Sequence, residues 1–115
     1  MENRLQYVFD PLCGWCFGFS PVIKKLETNY KNDITFETLC GGMVLGDRVK
    51  PLSEMRPYLE QAIPNLEKMT GVKFGEPYYK LLAEGTIMLN SEIPSIAMQV
   101  FKDMSEESSI NFASA

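Results

Sequence analysis

The sequence predicts an α/β fold: a strand–helix–strand unit followed by an all-helical segment. Three observations carry that prediction. Two short runs, Leu5–Phe9 and Ile34–Leu39, have the branched and aromatic composition of strands. Between them, apolar residues recur at helical rather than alternating intervals. Beyond Gly41-Gly42 the pattern is helical, punctuated by proline and glycine, with no further strand signal.

Leu5-Gln6-Tyr7-Val8-Phe9 is closed by Asp10-Pro11, a strand end. From Cys13 onward, Phe17, Pro21, Val22, Leu26 and Tyr30 set a helix over residues 14–31, with a bend at Pro21, which lacks a backbone donor. Asn32-Asp33 is a turn. Ile34 to Leu39 alternates cleanly as a second strand. Short connections around one helix imply a right-handed βαβ unit with parallel strands.

Ser53 is a candidate cap for a helix reaching Thr70, with Gly71 as its stop. Pro57 fits that helix's first turn, and Pro64 is expected to kink or split it. Pro77 to Glu84 is a short helix closed by Gly85. The strongest periodic signal follows. Ile93, Ile96, Ala97, Val100, Phe101 and Met104 fall on one helical face, with Ser91 as cap and Pro94 in the first turn. Residues 105–109 break the pattern, and residues 110–113 begin another helix.

At 115 residues and 45% hydrophobic composition, the chain has the size of one domain and the means to build a core. Its net charge of −4 and scattered basic residues leave no footprint for nucleic acid. No apolar stretch approaches the roughly 20 residues that span a bilayer. The start, Met-Glu-Asn-Arg, lacks the basic and apolar regions of a secretory signal. Three cysteines are an odd count, which argues against a disulfide framework and for a reduced, cytoplasmic compartment.

The chemistry concentrates in "DPLCGWCFGFSP", residues 10–21. Cys13 stands where a strand ends, and Cys16 in the first turn of the next helix. Residues three apart on a helix share a face, so the two sulfurs can approach bonding distance. A helix N-terminus favours a thiolate, and in Cys-X-X-Cys motifs a thiol pKa can fall from about 8.5 to roughly 3.5–7.5. Cys13 is the candidate nucleophile and Cys16 the resolving thiol, with Trp15 an apolar surface beside them. Two other readings stand: inert core thiols, or a metal clamp. Zinc prefers four ligands, and the chain has no histidine and no second Cys-X-X-Cys. No metal site is expected.

Asp10-Pro11-Leu12-Cys13-Gly14-Trp15-Cys16-Phe17-Gly18 resembles the active-site segment of DsbA-like thioredoxin-fold proteins, with the FrnE-like cytoplasmic branch the nearest in pattern. Phe74-Gly75-Glu76-Pro77-Tyr78 and Met88-Leu89-Asn90-Ser91 are similar to pieces of that branch's inserted helical domain. The resemblance implies a thioredoxin-like half domain over residues 1–44 and a helical insertion domain over 45–115, incomplete at its C-terminus. It implies thiol–disulfide oxidoreductase or isomerase activity on protein or small-thiol disulfides, with a redox-active disulfide in place of a bound cofactor and glutathione as a possible co-substrate. Gly14-Trp15 replaces the Pro-His of DsbA proper. That dipeptide tunes redox poise, and the absence of an imidazole donor points to a milder oxidant. The alternative on the same scaffold is a glutathione-dependent isomerase or transferase of the hydroxychromene-carboxylate isomerase or kappa type. Those relatives tend to carry serine at the first thiol position, whereas this chain keeps both cysteines.

Two supporting residues belong to the same region. Asp10 is a candidate proton acceptor for the resolving thiol, although Asp-Pro also ends strands. Cys40 ends the second strand at the sheet edge that carries the pair, where a small buried apolar role competes with a site role. The methionines, Met43, Met55, Met69, Met88 and Met98, are read as gap fillers between helices. The thioredoxin-like ββα half that the resemblance calls for is absent. Pro94 opens a helix instead of facing the cysteines in a cis loop. The expectation is therefore the N-terminal part of a longer protein, whose first strand leaves an edge open to self-association.

Overall fold

The computed structural model describes residues 3–105 and 108–114. Strand β1 (Arg4–Phe9), helix α1 (Gly14–Tyr30) and strand β2 (Thr35–Cys40) form the expected βαβ unit. The strands are parallel and in register from Arg4 opposite Thr35 to Phe9 opposite Cys40. Leu5, Tyr7 and Phe9 turn to the covered face, while Gln6 and Val8 turn outward, as a period of two requires. Ile23 of α1 and Phe36 of β2 make the core of this unit, with Leu5, Leu26 and Ile34 packed around them.

Pro21 lies inside α1 without ending it. Its missing N–H would have bonded the Phe17 carbonyl. The Ser20 hydroxyl donates to that carbonyl instead, at 2.7 Å. The vacant acceptor is thus satisfied one residue away.

The second unit holds α2 (Leu52–Thr70), α3 (Glu76–Glu84) and α4 (Glu92–Met104). Helix α2 runs unbroken through Pro57 and Pro64, so the expected split at Pro64 does not occur. It starts two residues earlier than the Ser53 cap allows, at Leu52, with Pro51 as N-cap. Its first free donors are satisfied by chain rather than by a side-chain cap: Leu52 N–H donates to the Ile87 carbonyl at 2.8 Å and Ser53 N–H to that of Gly85 at 3.1 Å. The same approach creates a feature absent from the sequence reading, a two-residue antiparallel pair of β3 (Lys50–Pro51) and β4 (Met88–Leu89). Gly71 and Gly85 close α2 and α3 in the left-handed conformation, as predicted. Arg56 adds to the second closure, its guanidinium donating to the carbonyls of Leu82 and Ala83 at 2.9 and 2.7 Å. Leu52, Ile63 and Leu82 form the core of this unit.

Helix α4 departs most from expectation. Its length and its Ser91 start are as read, and Pro94 lies in its first turn. Its apolar stripe is not buried: Ile93 is 76% exposed, Met104 80%, and Ile96 and Val100 more than half. The buried residue is Met98, on the other side. The helix meets the βαβ unit through Lys102, which donates to the Thr38 carbonyl at 2.9 Å and pairs with Glu37 at 3.4 Å. A last helix, α5 (Ser109–Ala113), inserts fully buried Ile110 into the Ile23–Phe36 cluster. Of the predicted break at residues 105–109, Glu106 and Glu107 lie outside the described residues.

Candidate redox site

Cys13 is the N-cap residue of α1, with extended backbone angles (φ −82°, ψ 113°). A turn bond positions it: Cys13 N–H donates to the Asp10 carbonyl at 3.0 Å, and the Cys13 carbonyl accepts from Phe17 N–H at 3.2 Å. Cys16 stands one turn further in. Both thiols are free and partly exposed. They are hydrogen-bonded to each other. The structure thus brings the predicted pair together at the strand-to-helix junction.

Burial pushes the Cys16 thiol up, to about 11. A backbone hydrogen bond from Asp10 opposes that rise, and the Cys13 thiol and the Asp10 charge add to it. Cys16 is therefore a protonated thiol at neutral pH. Tyr7, read in the sequence only as a strand residue, belongs to the site. Its hydroxyl hydrogen-bonds the Cys16 side chain, and burial together with the nearby thiols pushes it up to about 12. Its alternation with Leu5 and Phe9 placed it on the covered face, but nothing in the sequence tied it to Cys16.

The first turn of α1 is a wall between two recesses. Cys13 opens on an apolar cavity of about 590 Å³, lined among others by Leu12, Phe17, Met43, Met55 and Phe74, with Lys50 its one charged lining residue. Cys16 lines an open cleft with Tyr7, Val8, Phe19 and Met69. Trp15 lines both and is 44% exposed. Met43 and Met55 thus wall the cavity beside Cys13 rather than simply fill gaps.

Gly14 has a packing reason beyond tuning the thiols. A methyl group there would lie 3.3 Å from Leu66 Cδ1 and 3.6 Å from Phe74 Cζ. The glycine lets α2 and the Phe74 loop come up against the cysteine turn. Phe74 is held in turn by Glu67, whose carboxylate accepts from Phe74 N–H at 2.8 Å and from the Tyr79 hydroxyl at 2.7 Å.

Asp10 is buried, and both its carboxylate oxygens are engaged. Oδ1 accepts from Leu12 N–H and from the Ser91 hydroxyl, each at 2.9 Å, and Oδ2 from Met43 N–H at 2.8 Å. Ser91 occupies the predicted cap position of α4, but its hydroxyl turns to Asp10 and makes no cap bond. Cys40 ends β2 opposite Phe9 and is partly buried. Among the described residues no cluster of three or more cysteine, aspartate or glutamate side chains could hold a metal ion, and no helix is long and apolar enough to cross a membrane.

No protein-family model matches the sequence, and no curated protein matches it. Solved structures do. A protein from Nitrosomonas europaea, provisionally assigned as a protein disulfide isomerase, superposes with a TM-score of 0.79 at 26% identity, over 99% of this chain and 52% of its own. The cytosolic disulfide reductase DsbM from Pseudomonas aeruginosa superposes with a TM-score of 0.80 at 24% identity, over 96% of this chain and 51% of its own. The same reductase with GSH gives 0.77 at 23% identity. The fold is DsbA-like. This DsbA-like chain spans about half the length of the structures it matches.

Proposed function

We propose that the chain carries the redox centre of a thiol–disulfide oxidoreductase, with Cys13 as nucleophile and Cys16 as resolving thiol. One observation carries the reading. Cys13 caps the α1 N-terminus on the wall of an apolar cavity, while Cys16, hydrogen-bonded to it, is kept protonated by burial. Fold neighbours named as a disulfide isomerase and a disulfide reductase support it.

The steps balance. The Cys13 thiolate attacks one sulfur of a client disulfide, and the other sulfur leaves as a thiolate, giving a mixed disulfide. Cys16 then loses its proton to solvent and attacks the Cys13 sulfur. The Cys13–Cys16 disulfide forms, the second client thiol is released, and the client has gained two electrons. Two equivalents of a small thiol such as glutathione return the pair to the dithiol. The apolar lining of the cavity favours clients whose cysteines are flanked by apolar groups. We read the compartment as cytosolic, on the odd cysteine count and on the neighbouring DsbM being named a cytosolic reductase.

The test is the equilibrium of the pair with glutathione, alongside insulin reduction. A potential near the roughly −270 mV of thioredoxin means a reductant, and one near roughly −120 mV an oxidant. Cys13→Ala should abolish exchange, and Cys16→Ser should accumulate the mixed disulfide. Undiminished exchange in Cys13→Ala would remove Cys13 from the role. Tight glutathione binding with function intact in Cys16→Ser would favour the glutathione-dependent isomerase or transferase class.

A further inference from the structure

Asp10 holds the redox turn from two sides. Its backbone carbonyl accepts from Cys13 N–H at 3.0 Å, and its backbone N–H bonds the Cys16 sulfur. Asp10 is buried, only 5% exposed. The carboxylate gathers donors from three segments: Leu12 in the cysteine turn, Met43 in the exit loop of β2, and Ser91 at the start of α4. Ser91 is fully buried and 81 residues away in sequence. It is pinned by two more bonds, its hydroxyl accepting from Val44 N–H at 3.1 Å and its N–H donating to the Val44 carbonyl at 2.8 Å.

We propose that Asp10 and Ser91 form a latch in which α4 and the β2 exit loop position the Cys13 turn and bias the Cys13–Cys16 pair toward its disulfide. Asp10 is a positioning residue here, acting through the turn and not on the client. The proposal rests on the redox reading above. A rigid turn keeps the effective concentration of one thiol at the other high, which favours ring closure and lowers the reduction potential of the pair. Helix α4 thereby acts on the redox centre through Ser91 and Asp10.

The experiment is the glutathione equilibrium of the wild-type chain, Asp10→Asn and Ser91→Ala, read by alkylation of free thiols, with circular dichroism and thermal melting on each. Asp10→Asn removes the charge and one acceptor and should shift the equilibrium toward the dithiol roughly tenfold, about 30 mV. Ser91→Ala keeps the charge and loses one hydrogen bond, and should shift it the same way by roughly threefold. Ile110→Val, in the core away from the latch, should lower the melting temperature and leave the equilibrium unchanged. If Asp10→Asn does not fold, Ser91→Ala decides alone. An equilibrium within 1.5-fold of wild type in folded Ser91→Ala, or an equal shift in Ile110→Val, overturns the latch. A wild-type pair that does not exchange with glutathione at all overturns the redox reading itself, which is a separate result.

Discussion

Gly18 of α1 faces Thr70 of α2 with no room for a side chain. A methyl group at Gly18 would lie 2.9 Å from Thr70 Cγ2 and 3.0 Å from Leu66 Cδ2. With Gly14 one turn earlier, it makes a smooth strip along which the helical unit packs beside the cysteines. Gly18→Ala sets two effects against each other. Alanine gains about 1 kcal/mol of helix propensity, and overpacking costs about 1–3 kcal/mol. Thr70 is pinned by its hydroxyl bond to the Leu66 carbonyl at 2.8 Å, so it yields poorly. The expected outcome is a net loss of about 1 kcal/mol, read as a lower denaturant midpoint with unchanged slope. An unchanged or raised midpoint would show that α1 and α2 can part at no cost.

Cys16 should alkylate with a pH profile above that of an ordinary thiol. Cys16 is pushed up to about 11, first by burial. Its iodoacetamide rate should keep rising with pH to about that value. In Cys13→Ala the hydrogen bond and charge of the neighbouring thiol disappear, and both raise Cys16. The Cys16 profile should therefore move down, yet stay above the ordinary thiol value because burial remains. Mass spectrometry of the labelled peptides follows each site. A Cys16 profile with its midpoint near pH 7 would contradict the buried, protonated resolving thiol.

Stability should fall in alkali, and the sign follows from the same groups. Cys16 rises from 9.0 to about 11 on folding, and Tyr7 from 10.0 to about 12. The folded state therefore holds these protons more tightly than the unfolded chain. Their contribution is complete below about pH 9 and is lost as pH climbs through 11 and 12. Tyr7→Phe removes one titration and should flatten the upper part of the decline. Denaturant midpoints from pH 7 to 11 measure it, and a midpoint that rises over that range would refute the sign.

The βαβ unit was legible because its signals are local. Alternation in Ile34–Leu39, helical spacing after Cys13 and the glycine stops after Thr70 and Glu84 each depend on neighbouring residues, and each appears in the structure. What failed was long-range. Ser53 does not cap α2, whose start the chain at Gly85–Ile87 satisfies, and Ser91 is the N-cap residue of α4 but gives its hydroxyl to Asp10. The β3–β4 pair is two residues long, too short for any pattern. The α4 stripe shows the limit most clearly. Periodicity identifies an apolar face but not what covers it: Phe101 stacks on Phe112, while Ile93, Ile96, Val100 and Met104 lie open. The cysteine pair was legible from its motif. Tyr7 beside Cys16 was not, since that contact is made by packing of α1 across β1.

Self-association is the remaining consequence of the sheet. Among the described residues β1 pairs only with β2, so its other edge carries unpaired backbone groups. Such an edge templates another strand unless charge or a bulge blunts it. Here Val8 lies outward and exposed near the end of β1, beside the apolar cleft of Phe19 and Met69. An incoming strand would cover both. We therefore expect copies of the chain to pair through β1, with a molar mass by light scattering that rises with concentration. Val8→Lys places a charge within that contact and should return the species to the mass of one chain. The α4 stripe offers a rival contact, and Ile96→Lys separates the two. If Ile96→Lys dissociates the pair and Val8→Lys does not, the contact is α4, and if the wild-type chain stays monomeric at high concentration, the edge recruits nothing.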